Sequence, residues 1–286
     1  MAASSDSAPD GQALRNALAV KHTDRIALPF DRREAKPFQR NPPMSELYIT
    51  LQAKGGVGKS YVSSILAQYL LEAGVPLRCI DTDTTNPTLL RYQPLRCDYL
   101  KLSEEHVVNP RAFDRLVEIL SAADDMTHFV VDVGSNGFQP LMAYAVENDL
   151  FTVLEGLGVR VVINSVIAGG PDVAETLSST KAVLDHTRVP TLIWLNAHLG
   201  ALEHRGRPVA ELDLFRPFEE RILGWITLPK YPAATFGQDV EQMLKNRWTF
   251  DEAIAQLRLM PQMRIRRVKQ DLWSQLDRVF ASGNRR

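Results

Sequence analysis

One seven-residue run constrains this chain more than any other: Lys54-Gly55-Gly56-Val57-Gly58-Lys59-Ser60, set directly after the apolar stretch Leu47-Tyr48-Ile49-Thr50-Leu51. The residues that follow, Tyr61 to Leu71, place Val62, Ile65, Leu66, Tyr69 and Leu70 on one helical face. Strand, glycine loop and helix in that order predict a phosphate-binding loop. Glycines are needed because backbone N–H groups must converge on phosphate oxygens through φ/ψ values that a Cβ would obstruct. Lys59 supplies a cation for the β and γ phosphates of a nucleoside triphosphate, and the Ser60 hydroxyl is placed to ligate Mg²⁺ at the start of the helix. Gly55, Gly56, Val57, Gly58, Lys59, Ser60 and Tyr61 are therefore the predicted cofactor-binding run. The general pattern is G-x-x-x-x-G-K-[ST], and Ala53 occupies its first position here. The competing reading is a glycine-rich turn that carries lysines by chance.

Two more apolar runs end in carboxylates. Pro76-Leu77-Arg78-Cys79-Ile80 leads into Asp81-Thr82-Asp83, and Phe129-Val130-Val131 leads into Asp132-Val133-Gly134. An Asp at the end of a buried strand beside a phosphate loop suits a Mg²⁺ ion held through water, the role predicted for Asp132. Alone, such an Asp is also a common strand terminator. Further apolar runs lie at Val159 to Ile163, Pro190 to Leu195 and Ile222 to Leu228, with a helical pattern from about Asp172 to Leu184. This alternation predicts an α/β fold, a mostly parallel sheet with helices on both faces and ligands at the carboxyl ends of its strands. Val133 to Gly137 lacks the order of a nucleophile elbow, and its place after Asp132 predicts a switch loop that senses the γ-phosphate.

The loop form K-G-G-x-G-K-[ST], with its extra lysine at Lys54, resembles the deviant Walker A motif of the ParA/MinD family of P-loop ATPases. The resemblance implies an ATP-dependent homodimer in which Lys54 reaches the phosphates of the other subunit, where a second cation offsets charge developing in the transition state. It likewise implies that Asp83, the second acid of a D-x-D, sits near the attacking water and the metal shell. Thr84 stands where the family often has Pro. By the same resemblance Asn196, just past the strand ending at Leu195, reads the adenine edge, an amide being able to donate and accept at once. The alternative for Asn196 is a turn cap. Pro229, within Leu228-Pro229-Lys230, takes the place of the family's second base-contacting loop. The implied catalytic set is Lys54, Lys59 and Asp83, and the implied metal set is Ser60, Asp83 and Asp132.

Within that family the chain resembles the plasmid-transfer branch, the TraL and MobD type. The resemblance is carried by Leu51 to Ser60, Ile80 to Asp83, Trp194-Leu195-Asn196 with Gly200 and Glu203-His204, and Thr235 to Asp239 with Leu244 and Thr249-Phe250-Asp251. It implies a slow, dimerising ATPase that supports conjugative transfer or mobilisation, with a protein or DNA partner from the transfer machinery. Two other roles stay open: a nucleotide-gated binding module with negligible turnover, and plasmid partition proper.

At 286 residues and 45% hydrophobic content, one α/β domain over residues 44–286 can bury a full core. A formal net charge of −1 provides no global field toward nucleic acid or membrane. Cys79 and Cys97, with no apolar run of membrane-spanning length, read as reduced thiols of a cytoplasmic protein. Residues 1–43, rich in Ser, Ala, Asp and Pro at the start and punctuated by Asn41-Pro42-Pro43, read as a disordered tail; a partner-docking arm using Arg32, Arg33, Lys36 and Arg40 is the alternative. From Met263 to Phe280, Ile265, Val268, Leu272, Leu276, Val279 and Phe280 share one helical face, and after Pro261 seven Arg or Lys outnumber two Asp. A helix docked on the domain is the preferred reading; a membrane helix or a nonspecific DNA patch would look similar. His198, Glu203 and His204 form the one tight histidine group, read as solvated or partner-facing rather than metal-binding.

Overall fold

A computed structural model describes residues 45–104, 107–109 and 111–283. The expected tail at 1–43 lies outside the described residues. In chain order the main elements are β1 (Ser45–Leu51), α1 (Lys59–Glu72), β2 (Leu77–Asp81), β3 (Asp98–Tyr99), α2 (Ala112–Ser121), β4 (His128–Asp132), α3 (Phe138–Glu147), α4 (Leu150–Gly156), β5 (Val159–Ala168), α5 (Val173–His186), β6 (Thr191–Asn196), β7 (Ile222–Leu228), α6 (Gln238–Lys245), α7 (Phe250–Gln256) and α8 (Leu259–Gly283). The strands form one seven-stranded sheet in the order β7-β6-β5-β1-β4-β2-β3. Every pairing in it is parallel.

A parallel sheet needs cover on both faces, and the period of two in β1 supplies a residue set for each. Tyr48 joins Val162, Trp194 and Ile226 under α1 and α8, while Leu47, Ile49 and Leu51 join Val131, Val161 and Ile163 under α2, α3 and α4. A third apolar cluster, of Ile167, Leu177, Leu184, Ile193 and Phe215, closes the β6 and β7 side. Because β1 lies between β4 and β5, the glycine loop leaves the middle of the sheet, with Asp81 and Asp132 ending neighbouring strands in register.

β5 runs five residues past the apolar segment that announces it, through Asn164 and Ser165. Both are fully buried polar residues with partners: Trp194 Nε1 donates to Asn164 Oδ1 at 3.0 Å, and Ser165 Oγ lies 2.8 Å from Thr180 Oγ1. At the β7 edge of the sheet α8 is longer than its predicted stripe and starts at Leu259, with Pro261 in its first turn where no donor is missed. It docks: Ile265, Val268, Leu272 and Leu276 are buried, and Trp273 Nε1 donates to Glu72 at 2.9 Å. Lys269 reaches Glu72 at 2.7 Å and Asp251 at 2.8 Å, and Arg264 pairs with buried Asp239. Part of the basic cluster is thus used inside the fold. Gln275 covers the free edge of β7, taking the Thr227 N–H at 2.7 Å and giving an N–H to the Thr227 carbonyl at 3.1 Å. Among the described residues no helix is long and apolar enough to cross a membrane.

Candidate nucleotide site

The loop from Ala53 to Gly58 joins β1 to α1, and Gly56 and Gly58 take φ of 75° and 100°, values that side chains rarely tolerate. This turn aims the first N–H groups of α1 at the carboxyl edge of the sheet. Lys59 opens the helix, is almost fully buried, and its Nζ donates to the Lys54 carbonyl at 2.9 Å. Burial lowers the pKa of this ammonium, while Asp132 and Asp83 act in the opposite direction.

Asp132 faces it from the end of β4, 1% exposed. Burial pushes its carboxyl up to about 7; hydrogen bonds from Ser60 and Ser63 and the charge of Lys59 counter the shift, and Asp81 adds to it. Ser63 Oγ sits 3.1 Å from Asp132 Oδ1 and 2.8 Å from Thr50 Oγ1. Ser60 and Asp132, two of the three predicted metal residues, therefore meet at one point. The third, Asp83, is half-buried in the loop after β2, where its Oδ1 accepts from Thr85 N at 2.8 Å and Asn86 N at 3.0 Å. A buried ammonium and a buried carboxylate, each disfavoured as a charge by its surroundings, fit an anionic phosphate and a divalent cation respectively. Among the described residues no cluster of three or more His, Cys, Asp and Glu is arranged as a metal cage, His198 and His204 included. Mg²⁺ in such sites draws most of its ligands from water and phosphate.

Lys54 does not join Lys59. Its Nζ lies 2.9 Å from Glu175 Oε2 and 3.4 Å from Asp172 Oδ1, at the start of α5 of the same chain, and the hydrogen bonds to Glu175 and Asp172 raise its pKa. Asn196 ends β6 with its amide engaged: Nδ2 donates to the Val57 carbonyl at 2.9 Å, and Oδ1 accepts from His198 N at 3.1 Å. The turn-capping role is therefore present, and one N–H and one lone pair of the amide remain for a base edge. β7 ends in register with β6, Leu228 opposite Asn196, so Pro229 leaves the sheet beside Asn196. Tyr61 packs against the α1 side of the core, where burial and then the neighbouring Tyr231 and Tyr92 raise its pKa.

Residues without an assigned role in the sequence reading hold this geometry. Asp81 is fully buried and accepts from Asp83 N at 2.9 Å and Leu90 N at 3.0 Å, tethering both ends of the Asp83 loop. Its position as first acid of the D-x-D was the available signal. Asp172 and Glu175 hold Lys54 from more than a hundred residues away, and only the three-residue spacing of two acids at a helix start marked them. Behind them, Gly170 N donates to Ala201 O at 2.8 Å, and a Cβ on Gly169 would lie 2.1 Å from the Gly200 carbonyl oxygen. That backbone contact joins the segment carrying Asp172 to the loop that follows Asn196.

A parallel α/β sheet with a glycine loop, a buried lysine and a buried strand-end aspartate at its carboxyl edge defines a P-loop NTPase fold. No family model matches the chain. It is 34% identical over 238 residues to Protein TraL of Escherichia coli, covering 82% of this chain and 98% of that one. A shorter likeness, 28% over 89 residues, covers 31% of this chain and 37% of Protein MobD of Acidithiobacillus ferrooxidans. Among solved structures it is similar to the septum site-determining protein MinD complexed with Mg-ADP from Pyrococcus horikoshii, with a TM-score of 0.47 and 15% identity over 82% of this chain and 97% of that chain. MinD of Aquifex aeolicus gives a TM-score of 0.46 and 15% identity over 80% and 97%. The chain belongs to the TraL family.

Proposed function

We propose that this protein is a slow Mg²⁺-dependent ATPase that dimerises around ATP and serves conjugative plasmid transfer from the cytoplasm. The observation that carries the reading is the burial of Lys59 and Asp132 on either side of Ser60, two groups whose charged forms a phosphate and a divalent cation would stabilise. In this reading the loop amides and Lys59 hold the phosphates, Ser60 and Asp132 hold the Mg²⁺ shell, and Asp83 orients water. Mg²⁺, when bound, neutralises charge on the β and γ phosphate oxygens. Asn196 and Pro229 border the adenine, and Lys54 acts on the phosphates of the partner subunit. The TraL relationship supports the transfer role, and a transfer-machinery protein or DNA is the expected partner.

Isothermal calorimetry with Mg-ATP tests the core of this. The wild type is expected to bind and Lys59→Ala to bind at least tenfold more weakly, the loss expected for a charge-assisted contact to phosphate; absence of binding heat from the wild type would remove the proposal. One observation favours a second reading, a nucleotide-gated binding module with negligible turnover. Lys54 is held by Asp172 and Glu175 of its own chain, an arrangement in which this cation is not extended toward a second subunit. Phosphate release that stays negligible even when dimers form in Mg-ATP would select that reading.

A further inference from the structure

Two loops border the place where a terminal phosphate would sit: Asp83 to Asn86 after β2 and Gly134 to Gly137 after β4. The first is a tight turn. Asp83 Oδ1 accepts from Thr85 N and Asn86 N, and Asp81 anchors the turn through Asp83 N and Leu90 N. The second is a single 3-10 turn, closed by Gly137 N donating to the Gly134 carbonyl at 2.9 Å, and it leads into α3. They meet at two points. Gly134 is buried so tightly that a Cβ there would lie 2.9 Å from Asp83 Cγ and 2.9 Å from Asn136 Oδ1. Beside that contact, Asn136 Nδ2 donates to Thr84 Oγ1 at 3.3 Å. The same loop touches the glycine loop, since a Cβ on Gly55 would lie 3.5 Å from Ser135 Oγ.

We propose that Thr84 and Asn136 are positioning residues that latch these loops together, so that Asp83 and the loop after Asp132 respond to the terminal phosphate of a bound nucleotide as one unit. Each turn is internally closed, so neither adapts gradually; a phosphate that draws in Ser135 beside Gly55 moves Asn136, and Asn136 carries Thr84 and Asp83 with it. A proline at position 84 offers no side-chain acceptor. A threonine does. The inference rests on the nucleotide-binding reading and adds to it which side chains communicate between the loops.

Calorimetric affinities for Mg-ATPγS and Mg-ADP test it in the full chain, using wild type, Thr84→Val, Thr84→Ser, Asn136→Ala, Asn136→Asp and the Thr84→Val/Asn136→Ala double variant. Loss of one hydrogen bond corresponds to about fivefold, so Thr84→Val and Asn136→Ala are each expected to reduce the preference for ATPγS over ADP by about fivefold while ADP affinity stays. The double variant is expected to lose no more than either single one, the mark of a shared contact. Thr84→Ser restores the preference. Asn136→Asp, which sets a carboxylate beside Asp83, lowers it further. Limited proteolysis adds a readout: ATPγS protects both loops in the wild type and neither in Thr84→Val. Unchanged preference in the single variants, or a double variant whose loss is the product of the two, overturns the latch while leaving nucleotide binding intact. A wild type that binds neither nucleotide overturns both.

Discussion

Asp132 is the residue on which stability and the proposed role at Mg²⁺ pull in opposite directions. Its carboxyl titrates near 7 in the folded chain instead of the ordinary 3.8, chiefly because of burial. Between those values the folded protein keeps a proton that the unfolded chain releases, so stability without ligand falls as pH rises through the window. At about 1.4 kcal/mol per pH unit, the penalty reaches a few kcal/mol by pH 8. Asp132→Asn mimics the protonated side chain. It is expected to melt above the wild type at pH 8, by a margin that shrinks as pH falls through the window and closes only near 3.8, and to lose the stabilisation proposed for Mg-ATP; a melting difference independent of pH contradicts this. The position of Asp132 was legible from an apolar run ending in an acid, as was Lys59 from the glycine loop. What each side chain touches was not. Asn196 is bonded to Val57 across 139 residues, and Lys54 to Glu175 across 121. No local periodicity encodes such contacts.

At the scale of elements, hydrophobic patterning located six of the seven sheet strands, because burial on two faces leaves long apolar runs, but of the described α-helices only α1, α5 and α8. It stopped short in β5, where Asn164 and Ser165 look like a strand end and are instead satisfied by Trp194 and Thr180 on neighbouring elements. The sequence stripe of α8 predicted a docked helix, yet the residue that matters most at the sheet edge is polar. Gln275 occupies both backbone groups of Thr227 on the edge strand β7. Gln275→Leu keeps the side-chain size and removes both hydrogen bonds, so a loss of about 1–3 kcal/mol in urea melts is expected. The exposed strand edge is also expected to promote self-association that grows with protein concentration, visible by size-exclusion chromatography. Unaltered stability and a monomeric profile at all concentrations would show that α8 protects the edge by packing alone.

For the whole molecule, the intramolecular ion pairs of Lys54 with Asp172 and Glu175 bear on the proposed assembly. In the proposed dimer Lys54 must leave Asp172 and Glu175 before it can reach a partner. The Asp172→Asn/Glu175→Gln double variant is therefore expected to dimerise in Mg-ATP at severalfold lower protein concentration than the wild type, measured by sedimentation velocity. An identical concentration dependence would mean that the two acids do not restrain it. The long span between Val57 and Asn196 has a temporal consequence as well. A ribosome releases the glycine turn first and its amide brace 139 residues later, roughly seven to thirty seconds at ordinary elongation speed. The partner of Gln68, Phe250, emerges later still, 182 positions downstream. Nascent polypeptide therefore carries its glycine turn unbraced until these later segments have emerged and folded back onto it.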